Sequence, residues 1–272
     1  MPAEPAVTAA PAAWLSWAAA VAIAAFLAAA ASLLTRAGRG RPLIERRPQR
    51  PVPWQGGDVV LVMLAYLQIA LLAGAFLGSD PPTDQLLAAN LLIVATATCL
   101  AAAWLVGRGA TLADLGLSGG QLRQDAALAT LGLALVLAPL LAMAAALNAW
   151  VPYEHPVVEL LTGRRDPIAV GLVIATAVVA APIGEELFFR RILQGWLEKV
   201  FADRRPGLEI VISAAAFALA HRGQGLAYLP LFPLGLVLGL LAGRTGSIVP
   251  CILLHAMFNA VSVALLLAEP AG

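Results

Sequence analysis

Charged residues are scarce in this sequence, and the shortage indicates the class of protein. They make up 12% of the 272 residues, whereas hydrophobic residues make up 61%. Soluble domains are usually close to a quarter charged, so we expect an integral membrane protein. The net charge is only +1 and no basic cluster is interleaved with aromatic residues. We therefore predict no nucleic-acid partner.

Cysteine and lysine are also rare. The two cysteines, Cys99 and Cys251, each lie inside an apolar run. A disulfide framework has a different number and placement of cysteines, so we predict that both are packing residues. The one lysine, Lys199, follows no glycine-rich loop. The chain thus lacks the phosphate-binding loop of a nucleotide-binding protein, and we predict no nucleotide partner.

Long apolar runs dominate what is present. Windows of about 20 apolar residues mark membrane spans, and the chain contains eight candidates, at 12–35, 58–78, 85–106, 126–150, 167–200, 207–222, 226–243 and 247–268. Backbone groups in lipid must be hydrogen-bonded within the segment, so these spans are predicted to be helices. The predicted fold class is all-α, a polytopic membrane helix bundle of about eight transmembrane helices.

The distribution of arginine predicts the topology. The first span has no Lys or Arg before it and a strongly basic segment after it. That is the wrong charge order for a cleaved signal peptide, so we expect a retained helix. Six arginines occupy the first connection, at positions 36, 39, 41, 46, 47 and 50, and the positive-inside rule places it in the cytoplasm and the N-terminus outside. The segment 36–57 would be a linker at the membrane surface. The sequence favours a topology signal only, and contact with the headgroups of membrane lipid is the alternative.

Two carboxylates and two guanidiniums interrupt the fifth span, in Glu185-Glu186-Leu187-Phe188-Phe189-Arg190-Arg191. An ionised Glu or Arg at the centre of a membrane helix costs about 2.5–3.5 kcal/mol, which favours a role in chemistry or transport. Glu186 and Arg190 are four residues apart with the acid first, the favourable order for a helical ion pair. Glu185 lies about 100° around the helix from Glu186, so it can face a cavity instead.

The fifth span is also unusually long. Residues 167–199 would extend roughly 48 Å as one α-helix, which exceeds a bilayer with its headgroups. We therefore predict a kink or a break at Ala181-Pro182-Ile183-Gly184, because proline removes a helical hydrogen bond and clashes with the preceding turn.

Two later spans carry further pairs with the same spacing. Phe217 lies four residues before His221, and His255 lies four residues before Asn259, so each pair shares one helix face. Glu185, His221 and His255 lie roughly 13–21 Å along their helices from the cytoplasmic ends. We therefore expect three helices to present polar faces to one hydrated cavity.

These motifs resemble those of a known family. Ala181-Pro182 with Glu185-Glu186-x-x-x-Arg190, then Phe217-x-x-x-His221, then His255-x-x-x-Asn259 are similar to the three motifs of the CPBP intramembrane proteases. The run from Gly235 to Ile248 resembles the family's approach to the third motif. The family includes type II CAAX prenyl endopeptidases and bacterial members linked to bacteriocin handling or immunity. The resemblance covers about residues 165–265.

The resemblance implies a division of the chain and an activity. A CPBP-like catalytic core would occupy 165–268, accessory transmembrane helices 58–164, and an N-terminal transmembrane helix with its cytoplasmic linker 1–57. The protein would be an intramembrane endopeptidase that hydrolyses a peptide or membrane-protein substrate in or near the membrane. An Ala- and Arg-rich chain with one Lys looks bacterial, so we expect a bacterial inner (plasma) membrane, where prenylated substrates are not the default.

The residues make chemical sense of that activity. Glu185 paired with His221 can deprotonate a water that attacks the scissile carbonyl. His255 and Asn259 share a helix face and can donate hydrogen bonds to the oxyanion. The supporting residues would be Glu186 and Arg190, as an ion pair beside Glu185, and Phe217, as part of the cavity wall.

A metal mechanism competes with this one, in line with the family's traditional label of metalloprotease. The candidate Zn²⁺ ligands are Glu185, Glu186, His221 and His255. The His-Glu-x-x-His pattern of soluble metalloproteases is absent, and the ligands would come from three helices. The favoured mechanism is therefore metal-free, with no cofactor, and zinc is the alternative.

The alternative to an enzyme is a non-catalytic membrane protein, either an immunity or binding factor or a proton-coupled transporter. A transporter is expected to show two halves with matching broken helices. The polar pairs occur only within roughly the last 100 residues, and no second half matches them. The sequence therefore favours the endopeptidase over the transporter, and leaves the binding factor open.

Overall fold

The computed structural model describes residues 13–49, 51–77, 81–117, 119–151, 166–201, 205–222, 225–226 and 228–268. This part of the chain is helical and contains no strand. Its eight long helices are α1 (Ala13–Gly38), α2 (Gly56–Leu77), α3 (Thr83–Gly107), α4 (Leu122–Asn148), α5 (Pro167–Phe201), α6 (Leu208–Ala220), α7 (Tyr228–Thr245) and α8 (Val249–Ala268). The predicted all-α membrane helix bundle is confirmed.

Each predicted span overlaps one of these helices, and α6 is the shortest of the eight. The other seven are long and apolar enough to cross a membrane. Helix α6 has 13 residues, which corresponds to roughly 20 Å, whereas the hydrocarbon core of a bilayer is about 30 Å thick. A helix of this length that begins at one surface ends within the bilayer. The residue that follows its last turn is His221.

Helix α5 carries both glutamates and is continuous from Pro167 to Phe201, so the predicted break is absent from it. Two π-helical stretches, Ile174–Ala180 and Glu186–Leu193, lie on either side of the α-helical Ala181–Glu185. A π-helical stretch lets a membrane helix continue through a proline, because the changed turn gives the backbone groups that the proline displaces other hydrogen-bond partners. Turns of this kind are rare and occur frequently at functional sites.

A strap, which we define as residues 42–49 and 51–55, crosses one end of the bundle. The ammonium of Lys199 on α5 donates hydrogen bonds to the carbonyls of Val52 (3.0 Å) and Trp54 (2.8 Å). Both of these strap residues are only 3% exposed. The segment that the sequence identifies as a linker at the membrane surface is therefore partly packed into the protein.

Four connections meet at this same end. In the first connection, the Arg47 side chain pairs with Asp125 at the start of α4 (2.6 Å). The backbone N–H of Arg47 donates to the carbonyl of Arg244, in the last turn of α7 (2.9 Å). The hydroxyl of Ser247, after α7, donates to the carbonyl of Gly116, after α3 (3.1 Å). Lys199, in the last turn of α5, places the connection after α5 at this end as well. Helices that alternate in direction place their odd-numbered connections on one side, as observed here.

The helices before residue 164 share hydrophobic clusters with the later ones. Leu105 of α3 and Leu115 pack in one buried cluster with Ile192 of α5. Ala129 of α4 packs in another with Leu254 of α8. Because lipid tails are as apolar as leucine, contacts of this kind are stabilised by close packing rather than by removal from water. The early helices therefore help to hold the helices that carry the motifs.

Candidate active site

Glu186 is the most enclosed acid of the site, with a side chain that is 0% exposed. One oxygen, Oε2, lies 3.1 Å from Nε of Arg190, and the other, Oε1, lies 2.9 Å from Nδ1 of His255. The Arg190 contact is a close pairing of charges rather than an aligned hydrogen bond, since neither atom meets the hydrogen-bond angles. Both carboxylate oxygens thus face a nitrogen, as a buried charge requires.

Arg190 is held by an aromatic ring as well as by its acid. Its side chain is fully buried, and the guanidinium carbon lies 4.5 Å from the centre of the Phe217 ring. A guanidinium over the face of a ring is attracted by the ring's quadrupole. Phe217 is itself 0% exposed, so the ion pair of Glu186 and Arg190 is closed off from both lipid and water.

Each histidine is oriented through its Nδ1 atom. In His255 this nitrogen donates to the Glu186 carboxylate (2.9 Å); in His221 it donates to the carbonyl of Phe217 (2.9 Å). Because a carbonyl and an ionised carboxylate can only accept, the proton is on Nδ1 in each neutral ring. Both rings also meet Phe217 edge-on, with centroids 5.1 Å (His221) and 5.6 Å (His255) away. The Nε2 atoms are left to face Glu185.

Both Nε2 atoms face the same oxygen of Glu185. The distances to Oε2 are 3.8 Å from His221 and 3.9 Å from His255, too long for direct hydrogen bonds. Polar groups at such distances can interact through a bridging water. The Glu185 side chain is 27% exposed, against 0% for Glu186. The structure thus brings together Glu185, His221 and His255, of which Glu185 and His221 are partly exposed and His255 is buried.

Asn259 lies on the same face of α8 as His255, but its amide reaches the backbone of α5. Nδ2 donates to the carbonyl of Ala177 (2.7 Å), in the first π-helical stretch. A carboxamide has two N–H donors, so one of them is used here and the second is left for a ligand.

Sequence reasoning missed a pair of hydroxyls that lie beside Glu185. Tyr66 of α2 and Thr98 of α3 share a hydrogen bond (2.9 Å). Both hydroxyls touch the backbone of α5 at Gly184, where a Cβ would lie 2.6 Å from the Tyr66 oxygen and also clash with that of Thr98. The glycine before the first motif glutamate was the available signal, because only glycine permits so close an approach.

The four candidate metal ligands do not form one ligand set. Glu186 is occupied by Arg190 and by Nδ1 of His255, which leaves Glu185 and the two Nε2 atoms. Throughout the described ranges, no three His, Cys, Asp or Glu side chains are grouped so as to hold a metal ion. Of the four candidates, Glu185, His221 and His255 remain for zinc, whereas Glu186 is occupied by its own partners.

Comparison with known proteins gave one match. Residues 167–261 match the family model described as Type II CAAX prenyl endopeptidase Rce1-like, and all seven candidate site residues lie within this range. The comparisons with curated proteins and with solved structures found no match. The matched part is about a third of the chain. Over residues 167–261 the protein is similar to the Rce1-like type II CAAX prenyl endopeptidases, which confirms the family resemblance predicted from the three motifs.

Proposed function

We propose that the protein is an intramembrane endopeptidase in which Glu185 and His221 activate a water. The observation that carries the proposal is that Nε2 of both His221 and His255 lies within 4 Å of one Glu185 oxygen. That oxygen has no hydrogen-bond partner among the described residues. A water at this point can give its proton to a base while it attacks a carbonyl.

In the proposed reaction the water loses a proton to the Glu185–His221 pair, and its oxygen forms a bond to the scissile carbonyl carbon. The resulting oxyanion accepts hydrogen bonds from the free N–H of Asn259 and from Nε2 of His255, which donates when the ring carries both protons. The intermediate then breaks its C–N bond, and the proton taken from water passes to the leaving amine. Glu186 keeps the His255 ring in place through Nδ1.

The proposed mechanism needs no metal. Glu186 is paired with Arg190 and His255, and a water bound beside Glu185 would be oriented by the carboxylate and the two imidazoles. Zinc is the competing mechanism, and chelation distinguishes the two.

The proposed substrate is a peptide segment that reaches the site from the membrane. The matching family is named for prenyl endopeptidases, and a prenylated peptide is one substrate to be tested. We further propose a bacterial inner membrane with the N-terminus outside. The meeting of the Arg-rich strap with the ends of α5 and α7 supports one basic, cytoplasmic end of the bundle.

The test uses the purified full chain in detergent with a quenched fluorescent peptide library and, separately, a prenylated and an unprenylated C-terminal peptide. Wild type, Glu185→Gln and His255→Ala are assayed with and without a zinc chelator. Glu45→Gln, which changes an exposed carboxylate of the strap, is the matched control. Cleavage that is lost in both site variants, and kept in the control and under chelation, supports the proposal.

Two results would contradict it. Loss of cleavage under chelation with recovery on added Zn²⁺ would replace the metal-free mechanism by the zinc one. Equal cleavage by wild type and both site variants would mean a contaminating protease, and a binding protein would then be the better description.

A further inference from the structure

The two π-helical stretches of α5 receive hydrogen bonds from side chains of three other parts of the chain. Asn259 of α8 donates to the carbonyl of Ala177, Ser213 of α6 to that of Phe189, and Trp54 of the strap to that of Ile192, at 2.7, 2.7 and 3.0 Å. Ser213 and Trp54 belong to none of the three motifs. All three donors act on the helix that carries Glu185 and Glu186.

The first of these carbonyls, that of Ala177, is available because backbone hydrogen bonds in the π-helical stretch span five residues instead of four. The N–H of Ala181 donates to Thr176, five residues back. In an α-helix it would donate to Ala177, four residues back. A carbonyl released in this way inside a membrane protein needs another donor, and Asn259 supplies it.

The second stretch is held by Ser213. The carbonyl of Phe189 already accepts the N–H of Gln194, five residues on, and a carbonyl has two lone pairs. The Ser213 hydroxyl occupies the second one and is 0% exposed. Helical serines commonly bond the carbonyl one turn back in their own helix, as Ser262 does with Phe258. Ser213 instead links two helices.

Ser213 also belongs to a stripe. Ser213, Phe217 and His221 follow each other at intervals of four residues, so they lie on one face of α6 or at its end. Each residue of this face contacts α5. Ser213 meets the carbonyl of Phe189, Phe217 meets the guanidinium of Arg190, and His221 meets Glu185. A shift of α6 along α5 would break all three together.

We infer that Ser213 is a positioning residue: its hydrogen bond to the Phe189 carbonyl keeps α6 in register with the second π-helical stretch, so that His221 faces Glu185. The effect on turnover rests on the proposed function, whereas the effect on geometry does not. Ser213→Ala removes the hydroxyl without adding bulk, and Phe189 keeps its backbone partner. The variant is therefore expected to fold.

The sequence offers a direct spectroscopic test, because Phe189–Arg190 is the only Phe–Arg pair in the chain. In full-length protein labelled with ¹³C-carbonyl phenylalanine and ¹⁵N-arginine, a carbon–nitrogen correlation spectrum contains one backbone signal, that of the Phe189 carbonyl. A second sample with ¹⁵N-labelled histidine reports on the imidazoles. Samples are wild type, Ser213→Ala, Ser213→Cys and, as the matched control, Ser262→Ala.

We expect the Phe189 carbonyl signal to move upfield in Ser213→Ala, and by less in Ser213→Cys because a thiol is a weak donor. Ser262→Ala should leave it unchanged. The His221 imidazole signals should shift in Ser213→Ala as well. Peptide cleavage should show kcat reduced about 10- to 100-fold with KM nearly unchanged, since small misplacements of reacting groups have effects of this size.

Three outcomes separate the possibilities. An unmoved Phe189 signal in Ser213→Ala would overturn the hydrogen bond itself. A moved carbonyl signal with unchanged His221 signals would overturn the positioning role. If wild type cleaves no peptide, the proposed function fails, and the two sets of spectra still decide whether Ser213 sets the geometry.

Discussion

The candidate site has a closed half and an open half, although each is built on one of two adjacent glutamates. In the closed half, Glu186 is fully buried between Arg190 and His255. In the open half, Glu185 is partly exposed and faces two imidazole nitrogens across gaps. The difference shows that neighbouring residues of one type acquire different roles through their partners and their access to solvent. We propose a structural role for Glu186 and the reactive role for Glu185.

Replacement of the open glutamate is expected to have the largest effect on activity. Glu185→Gln removes the proposed base but keeps the size of the side chain, so kcat should fall about 10²- to 10⁴-fold. The thermal midpoint in detergent should stay close to that of wild type, because the Oε2 atom of Glu185 has no hydrogen-bond partner to lose. Peptide cleavage and thermal unfolding measure the two quantities. A large loss of stability would show that Glu185 is structural too.

Replacement in the closed half should act mainly on stability. Arg190→Leu leaves Glu186 as a buried charge without its cation, and breaking such a pair costs about 3–5 kcal/mol. Thermal unfolding in detergent should show a clearly lower midpoint. The matched control is Arg205→Leu, which removes an exposed arginine and should change little. A midpoint equal to that of wild type would remove the distinction between the halves.

A smaller effect is expected where α2 and α3 touch the helix behind the open half. Gly184→Ala would drive a methyl group into the hydroxyls of Tyr66 and Thr98, and overpacking of this kind costs about 1–3 kcal/mol. Gly171→Ala is the control on the same helix, since a Cβ there meets nothing within 4 Å. Thermal unfolding should therefore distinguish the two substitutions. Equal thermal midpoints would mean that α2 and α3 move aside without loss of stability.

An effect of comparable size is expected outside the site, at the strap. Arg47→Gln breaks the ion pair with buried Asp125, in which Arg47 remains partly exposed, and should cost about 1–3 kcal/mol. The loss should shrink at high salt, because a pair near solvent is screened. Arg41→Gln, at an exposed strap-side arginine, is the control. Unfolding measured at two salt concentrations checks both points, and an effect that is independent of salt would argue against a charge interaction.

Much of the fold could be predicted because lipid restricts the possibilities. Only helices satisfy their own backbone in a bilayer, so apolar runs located all eight helices to within a few residues. The short α6 was predicted as a span of its own, yet the structure shows that it is too short to cross. The predicted span 207–222 included Gly207 and His221-Arg222, which lie outside the helix.

The interior of α5 is where prediction from sequence was least successful. Ala181-Pro182-Ile183-Gly184 indicated a kink or a break. The helix does not break but continues through two π-helical stretches, which are a known cause of kinks. The choice depends on donors that lie far away in the chain, such as Asn259 for the carbonyl of Ala177. Nothing in a local window shows that those donors are within reach.

The sequence by itself determined the class of protein, the number of helices and the spacing that places each polar pair on one face, because composition and the helical repeat are local properties. Tertiary structure alone decided the remaining pairings: that Glu186 also holds His255, that Glu185 faces His255 as well as His221, and that Ser213 reaches Phe189. The two glutamates are chemically identical and adjacent in sequence. What separates them is which neighbours the packed helices bring to each, and that depends on contacts between residues distant in the chain.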